Sequence, residues 1–139
     1  MLDRWLGLAR VHGVPVADQD RPHLPRPPRQ VLLHRDLHDK QLLVDDDGTV
    51  GVLDFDLLAV GDPALDLGNL LAHLDLRVAQ DLLADAGPLR DAVLDGYAPD
   101  RALLTRLPAA ERATRLRLAA VYSFRPRWTA AAAMLLVRP

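Results

Sequence analysis

The chain has 139 residues, half of them hydrophobic, with a formal net charge of −2 and no cysteine. That length suits one domain with a packed core. The charge gives no basic field for nucleic acid, and the lack of cysteine excludes disulfides, thiolate metal sites and a cysteine nucleophile.

Leu2, Trp5, Leu6 and Ala9 recur at helical spacing, and Gly13 follows as a stop signal, so the spacing predicts an N-terminal helix. Asp3 and Arg4 interrupt any apolar leader at this end. The next stretch, VPVADQDRPHLPRPPRQ, holds five prolines and reads as an irregular connector, because proline removes amide donors and biases its predecessor to extended backbone. Val31 to Leu33 is a short strand. Leu42–Val44 and Val50–Phe55 flank DDDGT, where Gly48 supplies the positive φ that a hairpin needs. In the simplest register Val44 faces Gly51, Leu43 faces Val52 and Leu42 faces Leu53. Gln41 then faces Asp54, with Asp36 within loop reach.

After Phe55 the chain reads as helical. Asp62 is a cap, Pro63 a first helical residue, and Leu67, Leu70, Leu71 and Leu74 form an apolar stripe. PLRDAVLDGYA, DRALLTRL and PAAERATRLRLAAVYSF read as three more helices, with Pro108 opening the last. RWTAAAAMLLV is a terminal helix stopped before Pro139. Its apolar run of nine residues falls far short of the roughly 20 a membrane span requires. A cytoplasmic protein without membrane or nucleic-acid partners is the expectation. The fold class is α+β, mainly helical, and strands do not alternate with helices as a Rossmann-like sheet requires.

Two carboxylates and a carboxamide around one point are hard oxygen donors of the kind that hold Mg²⁺ while substrate phosphates complete its shell. A carboxylate there can also accept the proton of an attacking hydroxyl. Other polar groups have plainer readings. Asp45, Asp46 and Asp47 read as a solvated turn. The four-residue spacing of His34 and His38 would suit zinc only on a helix, and the loop context favours a structural role.

HRDLHDKQLLV, VLDFD and GDPALDLGNLL occur in that order. Together they resemble the aminoglycoside phosphotransferase/choline kinase family, whose fold is similar to that of protein kinases and which carries an HGDLHPGN-like loop, an IDF-type strand and a GDPxxDLA stretch. The resemblance implies a protein-kinase-like C-terminal lobe over residues 1–139. A helix and Pro-rich connector (1–29) would precede the catalytic loop and hairpin (30–62) and a helical body (63–139), with the nucleotide lobe absent. It implies transfer of the γ-phosphoryl group of ATP, with Mg²⁺, to a hydroxyl of a small molecule such as an aminoglycoside, a choline-like alcohol or a sugar. By the same resemblance Asp36 is the catalytic base, Asp54 the principal metal ligand, and Gln41 stands where the family has a metal-binding asparagine. Asp66 steadies the catalytic loop and His34 packs within it. DFDLLAVGD contains no Ser, Thr or Tyr, which favours a small-molecule acceptor over a protein. Two alternatives stay open: a truncated or degenerate non-catalytic kinase-like module, and a split enzyme whose missing lobe comes in trans or which self-associates.

Overall fold

The structure is a computed structural model that describes residues 1–18 and 21–137. It is mainly helical, with two small antiparallel sheets. Helix α1 (Leu2–Val11) buries Leu6 and Ala9, as its spacing predicts. The connector runs through a single 3-10 turn at Pro15–Asp18 and otherwise lacks regular structure among its described residues; Gln19 and Asp20 lie outside them. Strand β1 (Val31–Leu33) follows, then β2 (Leu42–Val44) and β3 (Val50–Val52), which pair antiparallel as a hairpin.

The hairpin register differs by one residue from the expected one. Leu42 faces Val52, Leu43 faces Gly51 and Val44 faces Val50. The reason lies in the tip. Asp45 N–H donates to Thr49 O at 2.9 Å and Gly48 N–H donates to Asp45 O at 2.9 Å, with Gly48 at φ 84°. This is a three-residue loop with glycine in the left-handed position, and it fixes the pairing above it.

The segment after Phe55 is not continuously helical. Ala59–Gly61 forms β4, which pairs with β1 through Val31↔Gly61, Leu32↔Val60 and Leu33↔Ala59. Gly61 leaves room there for Leu33, since a Cβ on it would lie 2.8 Å from Leu33 Cδ1 and force that side chain to shift. Helix α2 (Ala64–Ala79) starts one residue later than expected, with Asp62 Oδ1 accepting from Ala64 N–H at 3.0 Å. Gln80 to Ala86 does not extend it. Helix α3 is Gly87–Tyr97.

The two helices expected between Arg101 and Phe124 are one, α4 (Arg101–Ser123), capped by Asp100 Oδ1 accepting from Leu103 N–H at 2.7 Å. Pro108 lies inside it. Both Pro108 and Leu104, four residues earlier, sit on the exposed face, so the carbonyl that loses its donor faces solvent and the helix continues. Helix α5 (Thr129–Val137) follows a 3-10 turn at Pro126–Trp128; the expected stop before Pro139 lies outside the described residues. No helix of the described residues is long and apolar enough to cross a membrane.

Helix α2 is the centre of the molecule. Every residue from Leu67 to Arg77 is buried, the pattern of a helix packed on all sides rather than along one stripe. Ala72 and Leu76 join α1, α4 and α5 through Leu6, Leu116 and Leu135. Leu67, Leu71 and Leu74 join Leu103, Leu107 and Ala110 in a second cluster. The two long helices touch at Gly68, where an added Cβ would meet Ala110 Cβ and Glu111 N at 2.9 Å. Gly68→Ala therefore forces α2 and α4 apart. Urea unfolding is expected to show a loss of about 1–3 kcal/mol at unchanged m-value; a variant as stable as the parent would contradict the close crossing.

Candidate active site

The loop between β1 and β2 is held from below by the first turns of α2. Asp66 receives two backbone amides at once: His34 N–H on Oδ2 at 2.6 Å and Arg35 N–H on Oδ1 at 2.7 Å. Arg35 adopts φ 69° between them, a conformation costly for an L-residue and sustained only where its surroundings fix it. One turn on, Asn69 Nδ2 donates to Leu37 O at 2.7 Å. The carboxylate and carboxamide lie three residues apart on α2, and so on one face.

His34 is buried and ties this loop to the strand segment after the hairpin. Asp36 N–H donates to its Nδ1 at 3.3 Å. An amide can only donate, so the proton is on Nε2, which donates to Leu53 O at 2.6 Å. The Phe55 ring lies 5.2 Å away, centroid to centroid. One imidazole thus joins the backbone of Asp36 to that of Leu53 and Asp54. With both nitrogens occupied, His34 is not half of a zinc pair with His38.

Asp54 has φ 62° and is exposed; aspartate is among the few residues that tolerate this conformation. Gln41 Nε2 donates to Asp54 Oδ2 at 3.1 Å, while Gln41 O accepts from Leu53 N–H at 2.9 Å. Gln41 and Asp54 therefore meet at the open end of the hairpin despite the changed register, because the chain still pairs at Gln41 and Leu53 before turning at Asp54. The oxygens of Asp54 and the amide oxygen of Gln41 are donors that fit Mg²⁺; the carboxamide must turn about its last torsion to present oxygen beside Asp54.

Asp36 is partly exposed. Arg117 on α4 reaches it, with Nη2 4.0 Å from Asp36 Oδ1 and 2.6 Å from Asn69 Oδ1. Burial lowers the Arg117 pKa and Asp36 works against that shift. Sequence motifs did not point to Arg117 or Asn69. The i, i+3 spacing of Asn69 from Asp66 was the available signal. The hairpin-tip aspartates bond their own turn: Asp46 N–H donates to Asp45 Oδ1, and Thr49 N–H to Asp47 Oδ1, each at 2.8 Å.

Beside this loop lies a second polar group that the sequence did not reveal. Arg77 forks onto Asp39, with Nε to Oδ2 at 2.8 Å and Nη2 to Oδ1 at 2.9 Å. Burial would raise the Asp39 pKa, but the Arg77 bonds override it and hold it below the usual range. His38 and His73 stack with centroids 4.5 Å apart.

The sequence matches the phosphotransferase enzyme family over residues 3–103, from α1 into the start of α4, and the chain belongs to that family. No curated protein and no solved structure matches it significantly.

Burial pushes the His73 pKa down to about 3, with His38, Arg117 and Arg77 adding to the shift and Asp39 opposing it. The folded state holds His73 neutral, whereas the unfolded chain takes up that proton below its ordinary value of 6.5. Stability is therefore intact above about pH 6.5 and is lost progressively as pH falls towards 3. In EDTA, this one group is expected to remove about 1.5 kcal/mol between pH 6.5 and pH 5, and His73→Phe to remove most of that slope; equal slopes in both proteins would contradict the assignment.

Proposed function

We propose that the chain is the catalytic lobe of an ATP-dependent phosphotransferase, kinase-like in fold, acting on a hydroxyl of a small molecule. The observation that carries this reading is the junction made by His34, which joins the Asp36 loop to the segment where Asp54 meets Gln41. A base and a cation-binding pair are thereby brought to adjoining segments, as in-line phosphoryl transfer needs. Asp36 takes the proton of the acceptor hydroxyl. That oxygen bonds to the γ-phosphorus as the bond from this phosphorus to the bridging oxygen breaks, and ADP leaves. Asp54 and Gln41 would hold Mg²⁺, which supplies charge neutralisation at the phosphates. Asp66 and Asn69 hold the loop carbonyls and amides in place, so that Asp36 need not reorganise during transfer.

A cavity of about 220 Å³ is walled by Leu2, Leu24 and Leu65, with Arg35, Asn69, Thr114 and Arg117 as polar groups; Arg35 precedes Asp36 in the chain, and Arg117 Nη2 lies 4.0 Å from Asp36 Oδ1. No carboxylate is among its lining residues. Such a wall repels polycations and favours a neutral or anionic hydroxyl compound, so within the range of acceptors a sugar-type alcohol fits better than an aminoglycoside.

A second reading, a kinase-like module without catalysis, is favoured by Gln41 presenting its amide nitrogen to Asp54. Calorimetry with Mg-ADP separates the two. The phosphotransferase reading expects saturable binding that Asp54→Ala abolishes, and, in turnover with a sugar alcohol, a kcat about 10²–10⁴ lower for Asp36→Asn. No heat at millimolar nucleotide, or binding indifferent to Asp54→Ala, would favour the non-catalytic module.

A further inference from the structure

We infer that His38, Asp39 and His73 form a binding site for a divalent ion of the zinc type, separate from the oxygen-donor pair at Gln41 and Asp54. One ligand atom from each residue lies within 4.8 Å of the other two. His38 Nδ1 is 4.0 Å from Asp39 Oδ1. Two imidazole nitrogens and one carboxylate oxygen are the donor set of a zinc-type ion with an open fourth position. An all-oxygen ion such as Mg²⁺ has no preference for it.

The second observation is independent of this clustering. His73 is 6% exposed, and neither of its ring nitrogens has a hydrogen-bond partner. A buried imidazole without partners is costly, and a phenyl ring would fill the same space without that cost. Packing explains the ring but not its nitrogens. His73 is stacked against His38, with the planes 21° apart, and one of its unpaired nitrogens lies within 4.8 Å of a ligand atom of each of the other two residues.

The surroundings suit a held ligand set. Arg77 grips both oxygens of Asp39, the kind of outer contact that orients a coordinating carboxylate. Lys40 N–H reaches His38 Nδ1 at only 3.2 Å, a long contact that costs little to give up. Arg77 and Arg117 bring positive charge to this cluster, and Asp36 and Asp39 balance it. Tetrahedral coordination draws its donors to about 3.3–3.7 Å from one another, so occupancy tilts the two rings out of their stack. His38 Nε2 lies 3.8 Å from Asp36 Oδ2, so that tilt moves a neighbour of the proposed base. The site itself does not depend on the phosphotransferase reading.

Co²⁺ titration of the full chain, followed by its visible d–d absorption, tests the inference. A saturable 1:1 signal is expected, displaced by Zn²⁺ and untouched by excess Mg²⁺. His38→Ala and His73→Phe should each weaken binding at least tenfold, while His12→Ala and His23→Ala leave it unchanged. His38 is partly exposed, so its variant keeps the test valid should His73→Phe fail to fold by circular dichroism. No saturable signal at millimolar Co²⁺, or a signal that survives in His38→Ala, would overturn the inference.

Discussion

The two hydrogen bonds that Asp66 receives from the backbone of His34 and Arg35 are the constraint on which the site depends. With Arg35 in the left-handed region, the amides of His34 and Arg35 find their acceptor outside the loop. A carboxylate on a buried helix can satisfy both, and bonds to a charged acceptor are worth about 1.5–3 kcal/mol each. The helix is rigid because it is enclosed, and the loop inherits that rigidity. His34 then extends the same order across to Leu53, so Asp36 and Asp54 are positioned from one scaffold rather than by two independent loops.

Helix α2 combines two tasks that usually fall to different elements. Its apolar residues build both halves of the core, while Asp66, Asn69, His73 and Arg77 present polar groups towards the loop and turn preceding β2. The tight crossing with α4 at Gly68 brings Arg117 into the same polar layer. Core and site are consequently not separable: a change that moves α2 against α4 also moves Arg117 relative to Asp36. The hairpin, in contrast, exposes Leu43, Val44, Val50 and Val52 and contributes little to the core. It serves to hold Gln41 and Asp54 at its open end.

Local signals made much of this legible. The spacing of Leu2, Trp5, Leu6 and Ala9 gave α1, and Gly48 gave the hairpin, because each feature is decided within a few residues. The register was displaced because the closing bond between Asp45 and Thr49 counts tip residues that a pattern of apolar positions does not. Strand β4 was invisible for a different reason: its partner among the described residues, β1, lies about 28 residues earlier, and three residues carry no periodicity of their own. Pro108 looked like a helix start because proline usually is one, and only its place on the exposed face of α4 lets the helix run through it. Hairpin geometry singled out Asp36, Gln41 and Asp54 as candidates, and the resemblance in motif order added Asp66. Asn69 falls within GDPALDLGNLL but past the GDPxxDLA match, and His73, Arg77 and Arg117 belong to no motif; all four matter only once α2 is laid beneath the loop.

Convergence of the Asp36 loop with Gln41 and Asp54 on one divalent ion is tested most directly by paramagnetic broadening of backbone amide resonances. Substoichiometric Mn²⁺ with ADP should broaden the amides of Asp36, Gln41 and Asp54 together, well before those of the hairpin tip. Broadening confined to Asp45–Asp47, or spread evenly over the acidic surface, would contradict a shared site.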